Sequence, residues 1–200
     1  MVVSKGVISH APRPRVRDRI MQTARDLFYR RGIRAVGVDT IACEAGTNKM
    51  SFYRCFGSKG ELVAEYLRGQ EREAWAWWDE TVAAHAGNPR AQVEALFAAQ
   101  VQKTCKRESR GCALANASVE IYEPDHPARP VVEQFKAEMR RRFRELARSI
   151  GARDADALGD ALMLLWEGSY LTRLAFQGQH GPAENATKAA HSLIAAFTAP

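Results

Sequence analysis

No apolar run in this 200-residue sequence approaches the roughly 18 to 20 consecutive residues that a membrane-spanning helix requires, so no membrane partner is expected. The opening MVVSKGVISH lacks the charged start, apolar centre and small-residue cleavage site of a secretory signal. The expected compartment is the cytoplasm. No C-x-x-C pair occurs among Cys43, Cys55, Cys105 and Cys112, and His10, His85, His180 and His191 lie scattered. Without ligand spacing of that kind, neither a metal nor another cofactor is expected. No stretch alternates β-branched and polar residues, which excludes a sheet-based fold.

Acidic residues are scarce in one region only. Residues 1–60 hold 12 Lys or Arg against 4 Asp or Glu, whereas residues 61–200 hold 17 against 19. All of the basic excess therefore sits in the first third. A charge excess this local is the footprint of a polyanion partner, most simply nucleic acid. An anionic membrane fits poorly, because the cations are not laid along one long amphipathic helix.

What is present is helix. A hydrophobic share of 46% suits a globular chain. From Pro14 to Arg31 the apolar residues Val16, Ile20, Ala24, Leu27 and Phe28 recur every three or four positions, one face of a helix. Pro14 suits its first turn and Gly32 its end. A short helix follows from about Val38 to Ala45, with Gly37 as a weak N-cap. Gly46 turns the chain, Asn48 caps a third helix from Lys49 to Phe56, and Ser58 with Glu61 forms a capping box for a fourth. Further helices are expected from Asn88-Pro89 to about Lys106, over CALANASVEIY, from Ala128 to Ile150, over DADALGDALMLLWEGSYLTRLAFQ, and from Ala183 to Thr198. The fold class is all-α, about nine helices, with a three-helix basic head on a larger helical body.

IACEAGTNKMSFYRCFG, residues 41–57, then reads as a helix-turn-helix. In that motif the second helix enters the major groove with its N-terminal residues on base edges. Ile41, Ala42, Ala45, Phe52 and Phe56 supply the inner side, leaving Lys49, Met50, Ser51, Tyr53 and Arg54 outside. Tyr53 and Arg54 are natural phosphate donors. Lys49 can donate to guanine O6 or N7, and Met50 can touch a thymine methyl. Lys59 adds a cation where the dipole of the fourth helix favours phosphate.

DTIACEAGTNKMSFYRCFGSKGELV, preceded by RIMQTARDLFYRRGIRAVGV, resembles the DNA-binding signature of the TetR family of bacterial transcription regulators. The likeness runs from about Arg17 to Leu67. RGCALANASVEIYEPDHPARPVVEQF resembles the middle of one branch of such regulators. The resemblance implies a basic tail at 1–13, a DNA-binding domain at 14–60 and a ligand-binding and dimerisation domain at 61–200. It places Thr40, Lys49, Ser51, Tyr53, Arg54 and Lys59 at positions facing double-stranded DNA, to which Asn48 is added as the cap of the recognition helix.

An effector pocket for an unidentified small molecule is also implied among helices four to eight, lined on this reading by Trp75, Trp78, Phe97, Met139, Met163 and Trp166. Such a wall suits a largely apolar ligand. A homodimer on palindromic sites is implied as well. Leu158, Leu162, Leu165 and Ser169 with Ala190, Leu193 and Phe197 form stripes at helical spacing that could pack against their own copies.

Three other readings bear on the same residues. Cys105 lies beside Lys103, Lys106 and Arg107, cations that stabilise a thiolate, which would make the chain a thiol-sensing repressor. A helical adaptor without specific DNA binding leaves the basic head unexplained. Cys112, Asp125 and His126 can be assembled on paper into a catalytic set, but EPDHP reads better as a helix-breaking loop, and no enzyme activity is expected.

Overall fold

The computed structural model describes residues 14–104, 110–176 and 181–199. The basic tail at 1–13, Cys105 with Lys106 and Arg107, His10 and His180 lie outside them. Among the described residues there are nine α-helices, one 3₁₀ turn and no strand. The helices are α1 (Val16–Arg31), α2 (Val38–Glu44), α3 (Lys49–Cys55), α4 (Lys59–Ala83), α5 (Pro89–Thr104), α6 (Ala113–Glu120), α7 (Arg129–Ile150), α8 (Ala155–Ala175) and α9 (Ala186–Thr198). No helix among them is long and apolar enough to cross a membrane.

Two helix starts differ from the sequence reading. Pro14 stands outside α1, because the first intrahelical bond runs from the Arg19 N–H to the Arg15 carbonyl (3.1 Å). Residues 182–185 form the 3₁₀ turn, with proline at its start, and α9 begins at Ala186. The caps of the head follow the sequence closely. Asn48 Oδ1 accepts from the Ser51 N–H (2.9 Å) and Ser58 Oγ from the Glu61 N–H (3.0 Å). Glu61 reaches back one residue further than a capping box requires, to the Gly57 N–H (3.0 Å).

The head packs Ile20, Ala24, Leu27 and Phe28 of α1 against Ile41 of α2 and Phe52 of α3, all buried. The chain turns between α2 and α3 at Gly46, whose φ of +63° is one that side chains with a Cβ rarely adopt. Arg19 fastens that turn, donating from Nε to the Ala45 carbonyl and from Nη2 to the Gly46 carbonyl, each at 3.1 Å. These carbonyls end α2 and would otherwise lack partners.

In the body α7 and α8 lie closest. A Cβ at Gly159 would sit 2.6 Å from the Arg144 Cα, so a glycine there permits the approach. Arg140 and Arg144 of α7 both grip Asp160 of α8 through hydrogen bonds of 2.6–2.8 Å. Arg144 and Arg148 also hold Asp156. The two guanidiniums, Arg140 first, keep the Asp160 carboxyl well below the usual range. Arg141 and Arg142 bring Glu138 down to about 2. Carboxylates depressed in the native state stabilise it above their unfolded pKa, near 4, and lose that contribution as pH falls through the folded values. Thermal denaturation should therefore show stability dropping from about pH 4 towards 2. Asp160→Asn should be less stable than the parent at pH 7, with the gap closing as the pH falls.

Candidate DNA-facing helix and helical cavity

On α3, Met50 is 71% and Tyr53 48% exposed, and Lys49 and Arg54 are exposed beside them. Phe52, between them in sequence, is fully buried and meets the Tyr53 ring edge-on at 5.3 Å. One helix thus separates its apolar anchor from a face of cation, thioether, phenol and guanidinium. Ser51 and Thr40 are half-buried. Lys49 is not idle. Its ammonium meets the Asp39 carboxylate of α2 at 3.2 Å. Lys59, the first residue of α4, is drawn inward, and burial pulls its ammonium below the usual lysine range.

The head is tied to the body on both sides of α1. Arg25 grips Glu73 of α4 with both terminal nitrogens, one bond at 2.6 Å. Tyr29 Oη accepts from the Arg110 N–H (3.0 Å), ahead of α6. Beyond α1, the Arg34 N–H donates to Glu120 Oε2 (2.9 Å) at the end of α6, and its guanidinium lies 4.5 Å over the Tyr122 ring.

Between these ties lies a cavity of about 960 Å³, near the upper end of the range for small-molecule sites. Trp75, Trp78, Met139 and Trp166 line it, joined by Tyr29, Tyr66, Phe135 and Tyr170. The rings interlock: Trp75 lies 4.8 Å from Phe135, and Trp78 5.8 Å from Trp166. Phe97 and Met163 are corrected out of the lining. Phe97 is fully buried in a second layer, 5.3 Å behind Trp166, and Met163 packs against the core. Sequence reasoning missed the contribution of α1, which brings Arg25 and Tyr29 to this wall. Burial raises the pKa of the Tyr66 and Tyr170 phenols and of the Cys112 thiol, which also lines the cavity. The raised thiol stays protonated at neutral pH, unlike a reactive thiolate. The ring nitrogen of His126 accepts from the Ala128 N–H (3.1 Å) within its own loop, leaving it engaged in that turn.

The stripes on α8 and α9 also need correction. Leu158, Leu162 and Ala190 are wholly buried in the chain's own core and Ser169 nearly so, while Leu165, Leu193 and Phe197 are half-buried. The face of α8 left open is the opposite one: Leu164, Gly168 and Leu171, with Ala195 and Ala196 exposed on α9. Both faces of α8 carry the same three- and four-residue apolar spacing, so that pattern alone did not mark the open one.

Residues 20–66 match the family model described as bacterial regulatory proteins, tetR family. Over 92% of this chain and 96% of the other, the fold superposes with a TM-score of 0.83 on SCO4454, a TetR-family transcriptional regulator from Streptomyces coelicolor, at 26% identity. The chain carries the DNA-binding segment of the tetR family and the fold of a TetR-family regulator. It is 31% identical over 132 residues to the HTH-type transcriptional repressor KstR2 of Rhodococcus jostii, and 36% over 86 residues to KstR2 of Mycobacterium tuberculosis. Those matches cover 65% and 43% of this chain, and the chain spans 60% and 42% of the length of these curated relatives. The family segment contains the whole of α2 and α3, the two helices that bury Phe52 and expose Met50.

Proposed function

We propose that this chain is a DNA-binding transcriptional repressor of the TetR family, acting in the cytoplasm as a homodimer on a palindromic operator and released by a small effector. The observation that carries the reading is the divided face of α3. Phe52 is locked into the head core while Met50, Tyr53, Lys49 and Arg54 are exposed on the most basic part of the chain. The naming of both KstR2 relatives as repressors supports the sign of regulation. The bound duplex takes Tyr53 and Arg54 on phosphates and Lys49 and Met50 on base edges, with Asn48 fixing the helix end that approaches them. Thr40, Ser51 and Lys59 support the flanking backbone. Lys49 must first leave Asp39.

The effector reading rests on the cavity and on α4. This helix starts beside the head at Lys59, carries Glu73 under Arg25, and presents Trp75 and Trp78 to the cavity. At 1.5 Å per residue, Lys59 and Trp78 are about 28 Å apart, so a small tilt at the cavity end displaces the head. In a dimer such a tilt changes the spacing of two recognition helices that must match half-sites one helical turn apart.

Binding measured against salt tests the DNA reading. Log affinity should fall linearly with log salt, each neutralised phosphate adding about 0.9 to the slope. Arg54→Ala should weaken all sequences alike and lower that slope. Lys49→Ala should also relax preference at one base pair, by about 1 to 3 kcal/mol. Affinity indifferent to salt would contradict the proposal.

A further inference from the structure

The cavity's wall and its mouth differ in chemistry. Inside are rings, with Trp75, Trp78, Phe135 and Trp166 in mutual contact. At the solvent side the lining includes three cations, Arg25, Arg30 and Lys103, and two carboxylates, Asp26 and Glu73. Four of these five are already paired. Arg25 holds Glu73 on two nitrogens, and Arg30 lies 3.9 Å from Asp26. Lys103 is left over. Among the described residues it has no carboxylate in ion-pair reach, and its Nζ rests 4.9 Å above the Trp77 ring. Among the described residues of the lining the mouth therefore carries one net positive charge, held in place on an aromatic wall. A cationic ligand would find no unpaired carboxylate there.

We propose that the cavity selects an amphipathic organic anion, with an aromatic or apolar body on the ring wall and one acidic group at Lys103 that competes with Glu73 for Arg25. This deepens the effector reading above and rests on it. The Arg25–Glu73 pair is exposed on both sides, and exchanging one carboxylate partner for another anion keeps the guanidinium's two bonds satisfied while Glu73 returns to water. Arg25 belongs to α1 and Glu73 to α4. The exchange thus removes a direct tie between the DNA-binding head and the body, so the chemistry that selects the ligand also loosens the head.

Two fluorescent probes that share one body separate charge from apolarity: 8-anilinonaphthalene-1-sulfonate, an anion, and N-phenyl-1-naphthylamine, its neutral counterpart. With the full-length protein, sulfonate affinity should fall as salt rises, and the neutral probe's should not. Lys103→Gln should weaken the sulfonate about tenfold, as expected for one charge-assisted contact, and leave the neutral probe within about twofold. Glu73→Gln, which frees Arg25, should tighten the sulfonate severalfold, a gain that general damage to the fold would not produce. Ala74→Phe fills the cavity from α4 and should displace both probes. Equal effects of Lys103→Gln on both probes, or tighter binding of the cationic dye rhodamine 6G than of the sulfonate, would overturn the anion proposal. So would a sulfonate that ignores Ala74→Phe, since it would then lie on the surface. Failure of both probes to bind would remove the ligand site, leaving DNA binding by the head to stand on its own measurements.

Discussion

Leu164→Glu combined with Leu171→Glu should turn the protein into folded monomers that hold operator DNA about 100-fold or more weakly. Both leucines are more than 70% exposed and lie two turns apart on α8, with the exposed Gly168 between them. Burying a leucine contributes about 1.5 to 3 kcal/mol, so a symmetric contact that covers these residues on both copies depends strongly on them. Burying carboxylates instead is unfavourable without partners. The inward face of the same helix, with Leu158, Leu162 and Trp166, is untouched, so helicity should be retained. Loss of the dimer converts a two-point attachment to DNA into a one-point attachment, which is the source of the affinity drop. Leu162→Glu behaves differently. It places a charge in the chain's own core and should unfold the body. Sedimentation and circular dichroism of the two variants together distinguish the faces, and an intact dimer in the Leu164/Leu171 variant would place the contact elsewhere.

Phe52→Ala should abolish DNA binding through stability. The ring is fully buried, 5.3 Å from Tyr53 and 5.8 Å from Phe56. Removing a buried phenylalanine costs about 3 to 5 kcal/mol, a large share of the roughly 5 to 15 kcal/mol by which such a chain is stable. The melting temperature should fall by many degrees, and α3 should lose its fixed position at the temperatures where binding is measured. Met50→Ala, on the exposed face, should leave the melting curve within about 0.5 kcal/mol of the parent while weakening operator binding. A Phe52→Ala protein that melts like the parent would show that the ring does not anchor α3.

The contrast between these residues explains what the sequence could reveal. In the head, caps and turns are local chemistry: Asn48 with Ser51, Ser58 with Glu61, and Gly46 at the turn act within a few residues of one another. Phe52 and Met50 could be sorted because a short helix with one apolar side leaves little choice. Helix α8 offers no such contrast. It is apolar on both sides, Leu158 and Leu162 within and Leu164 and Leu171 without, and periodicity cannot tell which stripe its own chain covers. The cavity mouth was hidden for a different reason. Arg25 meets Glu73 across 48 residues, and Tyr29 meets Arg110 across 81. Those partners are chosen by the docking of α1 on the body, which no local pattern encodes. Phe97 misled because an aromatic in the second layer has the same sequence signature as one at a cavity wall.

Selection of bound sequences from a random duplex library by the full-length protein tests the central claim most directly. The account predicts enrichment of an inverted repeat whose half-site centres lie one helical turn, about 34 to 36 Å, or a multiple of it apart. Lys49→Ala should broaden the consensus at one position in each half. Absence of any enriched sequence, or enrichment of single half-sites alone, would contradict specific binding by a dimer.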